Sequence, residues 1–140
     1  MSKSYVIDYE TGVNYTILVA EDYKSEERKE FVVHRLRNDI EGLVEFLQEC
    51  EKDKGYHIGF NNISFDSQIT EFILRNKEVI ENGDPEYIAH EIYLKAQEII
   101  DKQSENRFIE NNFPEYSEKD LKIPCIDVFK LNHWENQSKR

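Results

Sequence analysis

A chain of 140 residues, with 39% apolar residues and 12% aromatics, is long enough to form one globular domain around its own core. Its formal net charge of −11 argues against a protein that holds nucleic acid by its own electrostatic field. No apolar run approaches a membrane span, the polar start lacks a signal-peptide core, and Cys50 and Cys125 make neither a disulfide framework nor a metal-ligand spacing. These features predict a single domain over 1–140, soluble and cytoplasmic, with reduced thiols and no membrane partner.

In chain order, residues 4–10 read as a strand rich in Tyr, Val and Ile, and Thr11-Gly12 as a turn. Residues 14–20 read as a second strand, so the pair predicts a hairpin. A charged tip over 21–29 leads to a third strand over 30–35, which makes an antiparallel meander. The period then becomes helical: Ile40, Leu43, Val44 and Leu47 recur at three- and four-residue steps, with Asn38 or Asp39 as cap and Gly55 as stop. The apolar run Tyr56–Phe60 predicts a fourth strand, parallel to the first if the helix is a right-handed crossover. A helix from Phe65 to about Lys77 would turn Ile69, Phe72, Ile73 and Leu74 toward the core.

Pro85 opens another helix, with Ile88, Ile92, Ala96, Ile99 and Ile100 as its stripe. Residues 101–120 read as an irregular insertion, 122–131 as a last strand, and 132–140 as a polar tail. Residues 61–120 hold 14 acids against 6 bases, and the acidic run in 78–118 reads as a solvated face that could also exclude or mimic nucleic acid. His34, His57, His90 and His133 share no ligand spacing and read as scattered structural histidines.

Three carboxylates stand out. Asp8 and Glu10 lie two residues apart on the first strand, so both point to one face. Asp66 falls in a first helical turn just past the end of the fourth strand, where open α/β sheets bind ligands. Carboxylates on adjacent elements suit hard divalent cations.

The order β-β-β-α-β-α-α-β, with acids after the first and fourth strands, predicts an α/β ribonuclease H-like fold. Its mixed sheet combines an antiparallel three-strand meander with parallel strands, flanked by helices. Asp8-Tyr9-Glu10, together with Gly59-Phe60-Asn61-Asn62-Ile63-Ser64-Phe65-Asp66, resembles the first two motifs of proofreading 3′→5′ exonucleases that use three Asp and one Glu. The closest likeness is to the N-terminal exonuclease part of phage DNA polymerases. Asn61 fits the second motif with three intervening residues and Asn62 fits it with two. The third motif, a Tyr or His followed by Asp on a late helix, would lie downstream of Leu131 and is missing. The resemblance therefore predicts a C-terminally incomplete domain.

What the resemblance implies is specific. Two Mg²⁺ or Mn²⁺ ions would activate water and stabilise the leaving oxygen. Asp8 would bridge both ions, Glu10 would hold one and Asp66 the other. Thr11, Asn61, Asn62 and Phe65 would contact the single-stranded DNA 3′ end, although Phe65 also fits a core position. Asp127, on the last strand, would be structural. Without the fourth carboxylate, activity would be weak or absent unless the remainder of a polymerase or another replication protein supplied it. The alternative is a non-catalytic phage replication or interaction module that keeps the fold in the host bacterial cytoplasm.

Overall fold

The computed structural model describes residues 2–105 and 115–128. The elements are β1 (Tyr5–Gly12), β2 (Tyr15–Asp22), β3 (Arg28–His34), β4 (Arg37–Asn38), α1 (Ile40–Asp53), β5 (His57–Gly59), α2 (Asp66–Arg75), α3 (Lys77–Glu81), α4 (Pro85–Glu105) and β6 (Cys125–Asp127). Among the described residues the strands form one six-stranded mixed sheet in the order β4-β3-β2-β1-β5-β6. β1, β2, β3 and β4 pair antiparallel in sequence, whereas β5 joins β1 and β6 joins β5 in parallel.

Strand alternation sets the layers. Tyr5, Ile7 and Tyr9 are buried on β1 while Val6, Asp8 and Glu10 are exposed, and β2 buries Asp22, Ala20 and Leu18 in register with them. The buried strand residues form one core with Leu43, Val44, Phe46 and Leu47 of α1, Ile69 and Ile73 of α2, and Ile88, Ile92 and Ala96 of α4. Full burial of each such aliphatic side chain contributes about 1.5–3 kcal/mol. The described helices therefore cover the face that carries Tyr5, Ile7 and Tyr9.

Several boundaries differ from the predicted ones for local reasons. The residue that ends α1 in the left-handed conformation is Lys54 (φ 59°, ψ 30°), and its N–H donates to the Cys50 carbonyl. Gly55 instead lets the chain pass against the Lys3 carbonyl oxygen, where a Cβ would collide. The short β4 was not predicted; it forms because the Asp39 carboxylate accepts the Val32 N–H at 2.9 Å and Arg37 Nε at 2.8 Å, folding the chain back on β3. On α4 the buried stripe takes Ala89 and leaves Ile100 exposed. That helix also extends through Glu105, into the predicted insertion.

The last strand shortens to Cys125–Asp127. Residues 129–131 of its predicted span, residues 106–114 and the predicted tail 132–140 lie outside the described residues. Among the described residues no helix is long and apolar enough to cross a membrane.

His57 sits in the core beside Phe46, ring over ring at 6.4 Å, and its Nε2 has no hydrogen-bond partner. Burial pushes its pKa down to about 4. The stability that neutral His57 contributes is thus fully present above the unfolded value near 6.5 and lost as pH falls toward 4. Urea unfolding of wild type and His57→Phe should diverge on acidification. From pH 7 to pH 4 the variant should gain roughly 3 kcal/mol relative to wild type, and parallel pH profiles would contradict the buried neutral ring.

Candidate active site

The site is built where β1 runs past the short β5. β5 pairs with β1 only at Tyr5 and Val6, so among the described residues the β1 edge from Ile7 onward lacks a strand neighbour on that side. The turn into α2 fills the gap. Asp66, the first residue of α2, accepts the Tyr9 N–H through Oδ1 at 3.3 Å. Four residues on, and hence on the same helix face, Thr70 Oγ1 meets the Tyr9 hydroxyl at 2.8 Å. Tyr9 thus fastens β1 to α2 at both its ends, and burial pushes its phenol well above the ordinary range.

Asp8 and Glu10 flank this junction on the solvent side of β1, opposite Val19 and Ile17 of β2. Asp66 itself is only 7% exposed. Burial raises its pKa to about 7, against the Tyr9 N–H, with Asp8 and Asp127 adding further upward pressure. The predicted first and second motifs are therefore brought to one place, with Asp8 close enough to help raise the Asp66 pKa.

The loop before α2 is held by Asp127. Its carboxylate accepts the Asn61 N–H at 2.8 Å and the Ile63 N–H at 3.4 Å, so both oxygens are engaged with backbone. Asn61 takes the left-handed conformation (φ 58°), which Asn tolerates better than most residues. Asn62 is buried: its Nδ2 donates to the His57 carbonyl and its own carbonyl accepts the Phe65 and Ser67 N–H groups. Its Oδ1 has no hydrogen-bond partner. Gly59 leaves room for it, since a Cβ there would lie 3.0 Å from Asn62 Cβ.

Of the two asparagines that fit the motif, Asn61 is the half-exposed one. Phe65 is partly buried and packs against the core, and Thr11 is half-buried opposite Thr16. Phe60, which the sequence reading passed over, is 64% exposed between β5 and the loop. Its place at the end of a mostly buried strand is the signal that sets it apart.

The second motif also has an unpredicted buried polar network behind it. Gln68 donates to the Ile63 and Tyr116 carbonyls and accepts the Tyr116 N–H, while Glu71 accepts the Lys122 N–H and pairs with Arg75 at 2.7 Å. Arg75 also lies 4.6 Å over the Tyr116 ring. Ser67 Oγ and Cys125 Sγ meet at 2.6 Å. Burial pushes the Cys125 thiol up to about 11 and Cys50 up to about 12, so both unpaired cysteines stay protonated at neutral pH. Neither suits nucleophilic catalysis.

Carboxylate oxygens are the donors that Mg²⁺ prefers, and Asp8, Glu10 and Asp66 supply them. Among the described residues, however, no group of three or more His, Cys, Asp or Glu side chains is arranged to hold a metal ion.

A carboxyl with a raised folded pKa stabilises below its unfolded value, and that contribution is lost as pH rises through the folded pKa. For Asp66 the window runs from about 4 to about 7. With chelator present, Asp66→Asn should match wild type near pH 4 and exceed it at pH 8 by up to about 4 kcal/mol. Equal stability at pH 8 would show that Asp66 ionises without cost.

No protein-family model, curated protein or solved structure matches this chain.

Proposed function

We propose that the chain forms a divalent-cation-dependent phosphodiesterase site of the 3′→5′ exonuclease type, on a ribonuclease H-like sheet. The strand order β3-β2-β1-β5-β6, with an antiparallel meander on one side and parallel strands on the other, is compatible with that fold. One observation carries the reading: the Asp66 carboxylate reaches the backbone of β1 at Tyr9, between Asp8 and Glu10.

Asp8, Glu10 and Asp66 are the residues that would hold Mg²⁺ or Mn²⁺. When bound, such ions lower the pKa of attacking water and neutralise charge on the leaving oxygen. The chain's own contribution is to orient. The Tyr9 N–H fixes the Asp66 carboxylate, and Asp127 fixes the Asn61 loop. Asn61 and the exposed Phe60 are then the side chains placed to contact and stack on a 3′-terminal nucleotide. Asp127 is committed to two loop amides, so three carboxylates remain for cations and turnover should be slow. Exposed Asp8 and Glu10 repel phosphate, so single-stranded DNA should bind only with the cation present.

A second reading is a non-catalytic module in which Asp66 latches β1 to α2. The near-complete burial of Asp66, whose Oδ1 already accepts the Tyr9 N–H, favours it.

Thermal unfolding with and without Mn²⁺ separates the two. Under the cation reading, ligand at a hundredfold excess over its dissociation constant raises the melting temperature by roughly 5–10 °C. Asp8→Ala should abolish that increment without lowering metal-free stability. Cation-dependent loss of 3′-terminal nucleotides from a 5′-labelled oligonucleotide should disappear with it. An equal increment in Asp8→Ala would leave only the latch.

Phe60→Ala provides a check on the substrate side. It should raise KM for single-stranded DNA by roughly 5- to 150-fold, the equivalent of about 1–3 kcal/mol of lost stacking, with unchanged Mn²⁺ stabilisation. An unchanged KM would remove Phe60 from the site.

A further inference from the structure

The face of the sheet opposite the helices holds no fully buried side chain among the described residues, and its residue types form a pattern. The register places Ile126, Ile58 and Val6 side by side across β6, β5 and β1. One step along the strands, Val19 of β2 lies opposite Asp8, and one further step pairs Ile17 with Val32 of β3. The six apolar residues make a diagonal stripe across five strands, with Val6 41% and Ile126 36% exposed and the others half-buried. Carboxylates border it on both sides: Asp8 and Glu10 along one edge, Glu21 and Glu30 along the other, all exposed. Arg28, beside Glu21, and Arg37, opposite His34 and paired with Asp39, are the Lys or Arg residues of this face among the described strands.

We propose that this face docks an amphipathic helix of a partner protein, whose apolar stripe is flanked by Lys or Arg on both sides. Five adjacent strands at about 4.8 Å spacing span about 20 Å. A helix covers that distance in about 13 residues. Charge selects the occupant. A second copy of this face would set carboxylates against carboxylates, and nucleic acid or an anionic bilayer would meet the same repulsion. A basic helix meets both acidic borders while covering the β-branched stripe, as in helix-in-groove recognition. The inference stands on apolar and charge pattern, with Asp8 and Glu10 entering only as charges; a cation held by them would cancel part of one acidic border, so docking is expected on the cation-free chain.

The test uses the full chain in EDTA, with methyl-labelled Val and Ile observed by NMR. The probe is a synthetic helical peptide of about 15 residues with a Leu stripe flanked by Lys, and its counterpart with Glu flanks. The Lys peptide should bind one to one and shift the methyls of Val6, Ile17, Val19, Val32, Ile58 and Ile126, while the Glu peptide should not bind. Val19→Ser should weaken the Lys peptide about tenfold, the loss expected for one buried aliphatic contact. Glu21→Lys with Glu30→Lys, both at exposed positions that leave the core intact, should shift preference toward the Glu peptide. Shifts confined to the acidic surface of α4, equal affinity for both peptides, or concentration-dependent pairing of the chain through this face would each overturn the proposal.

Discussion

The hydrogen bond from the Tyr9 N–H to Asp66 is the constraint on which the functional end of the molecule depends. β1 is the centre of the sheet, yet β5 leaves most of its edge unpaired. A buried backbone N–H without a partner costs about 1–3 kcal/mol. A carboxylate at the start of α2 satisfies it and, in the same stroke, brings an acid from the second motif to the acids of the first. The requirement of the backbone thus coincides with the placement that a cation site would need. Asp66 cannot be moved without freeing the β1 edge, and β1 cannot shift register without turning Asp8 and Glu10 into the core.

The surroundings of α2 show how such a placement is held. The helix buries Gln68 and Glu71 as well as Ile69 and Ile73. Each polar side chain reaches backbone in the segment that returns to β6. Asp127, on β6, reaches back to the loop that opens α2. Loop, helix and returning segment form a closed circuit of hydrogen bonds around the Asp66 junction. Circuits of this kind fix geometry at high cost to any substitution that breaks one link.

Much of this was legible in the sequence because hydrophobic period is a strong signal. Tyr5, Ile7 and Tyr9 alternate as a half-buried strand should, and Ile40, Leu43, Val44 and Leu47 recur as a helix face should. The short motifs located Asp8, Glu10 and Asp66. What escaped were features that depend on distant partners. Gln68 and Glu71 carry no apolar signal, and only the returning chain supplies the partners that bury them. Asn38 or Asp39 reads as the cap of α1; Asp39 holds that position, but its carboxylate serves Val32 and Arg37 instead of the helix. The left-handed residue after α1 fell on Lys54 because Gly55 was needed where the chain touches Lys3. Phe60 and Phe65 could not be ranked by type, since burial alone separates the exposed ring from the packed one.

The central claim is that β1 and the start of α2 form one cation-binding junction, and paramagnetic broadening by Mn²⁺ tests it at the level of residues. In an amide spectrum, substoichiometric Mn²⁺ should erase the signals of Asp8, Tyr9, Glu10, Asp66 and Ser67 first, and Asp66→Ala should restore them. Broadening spread over the acidic surface of α4, or unchanged in Asp66→Ala, would contradict the account.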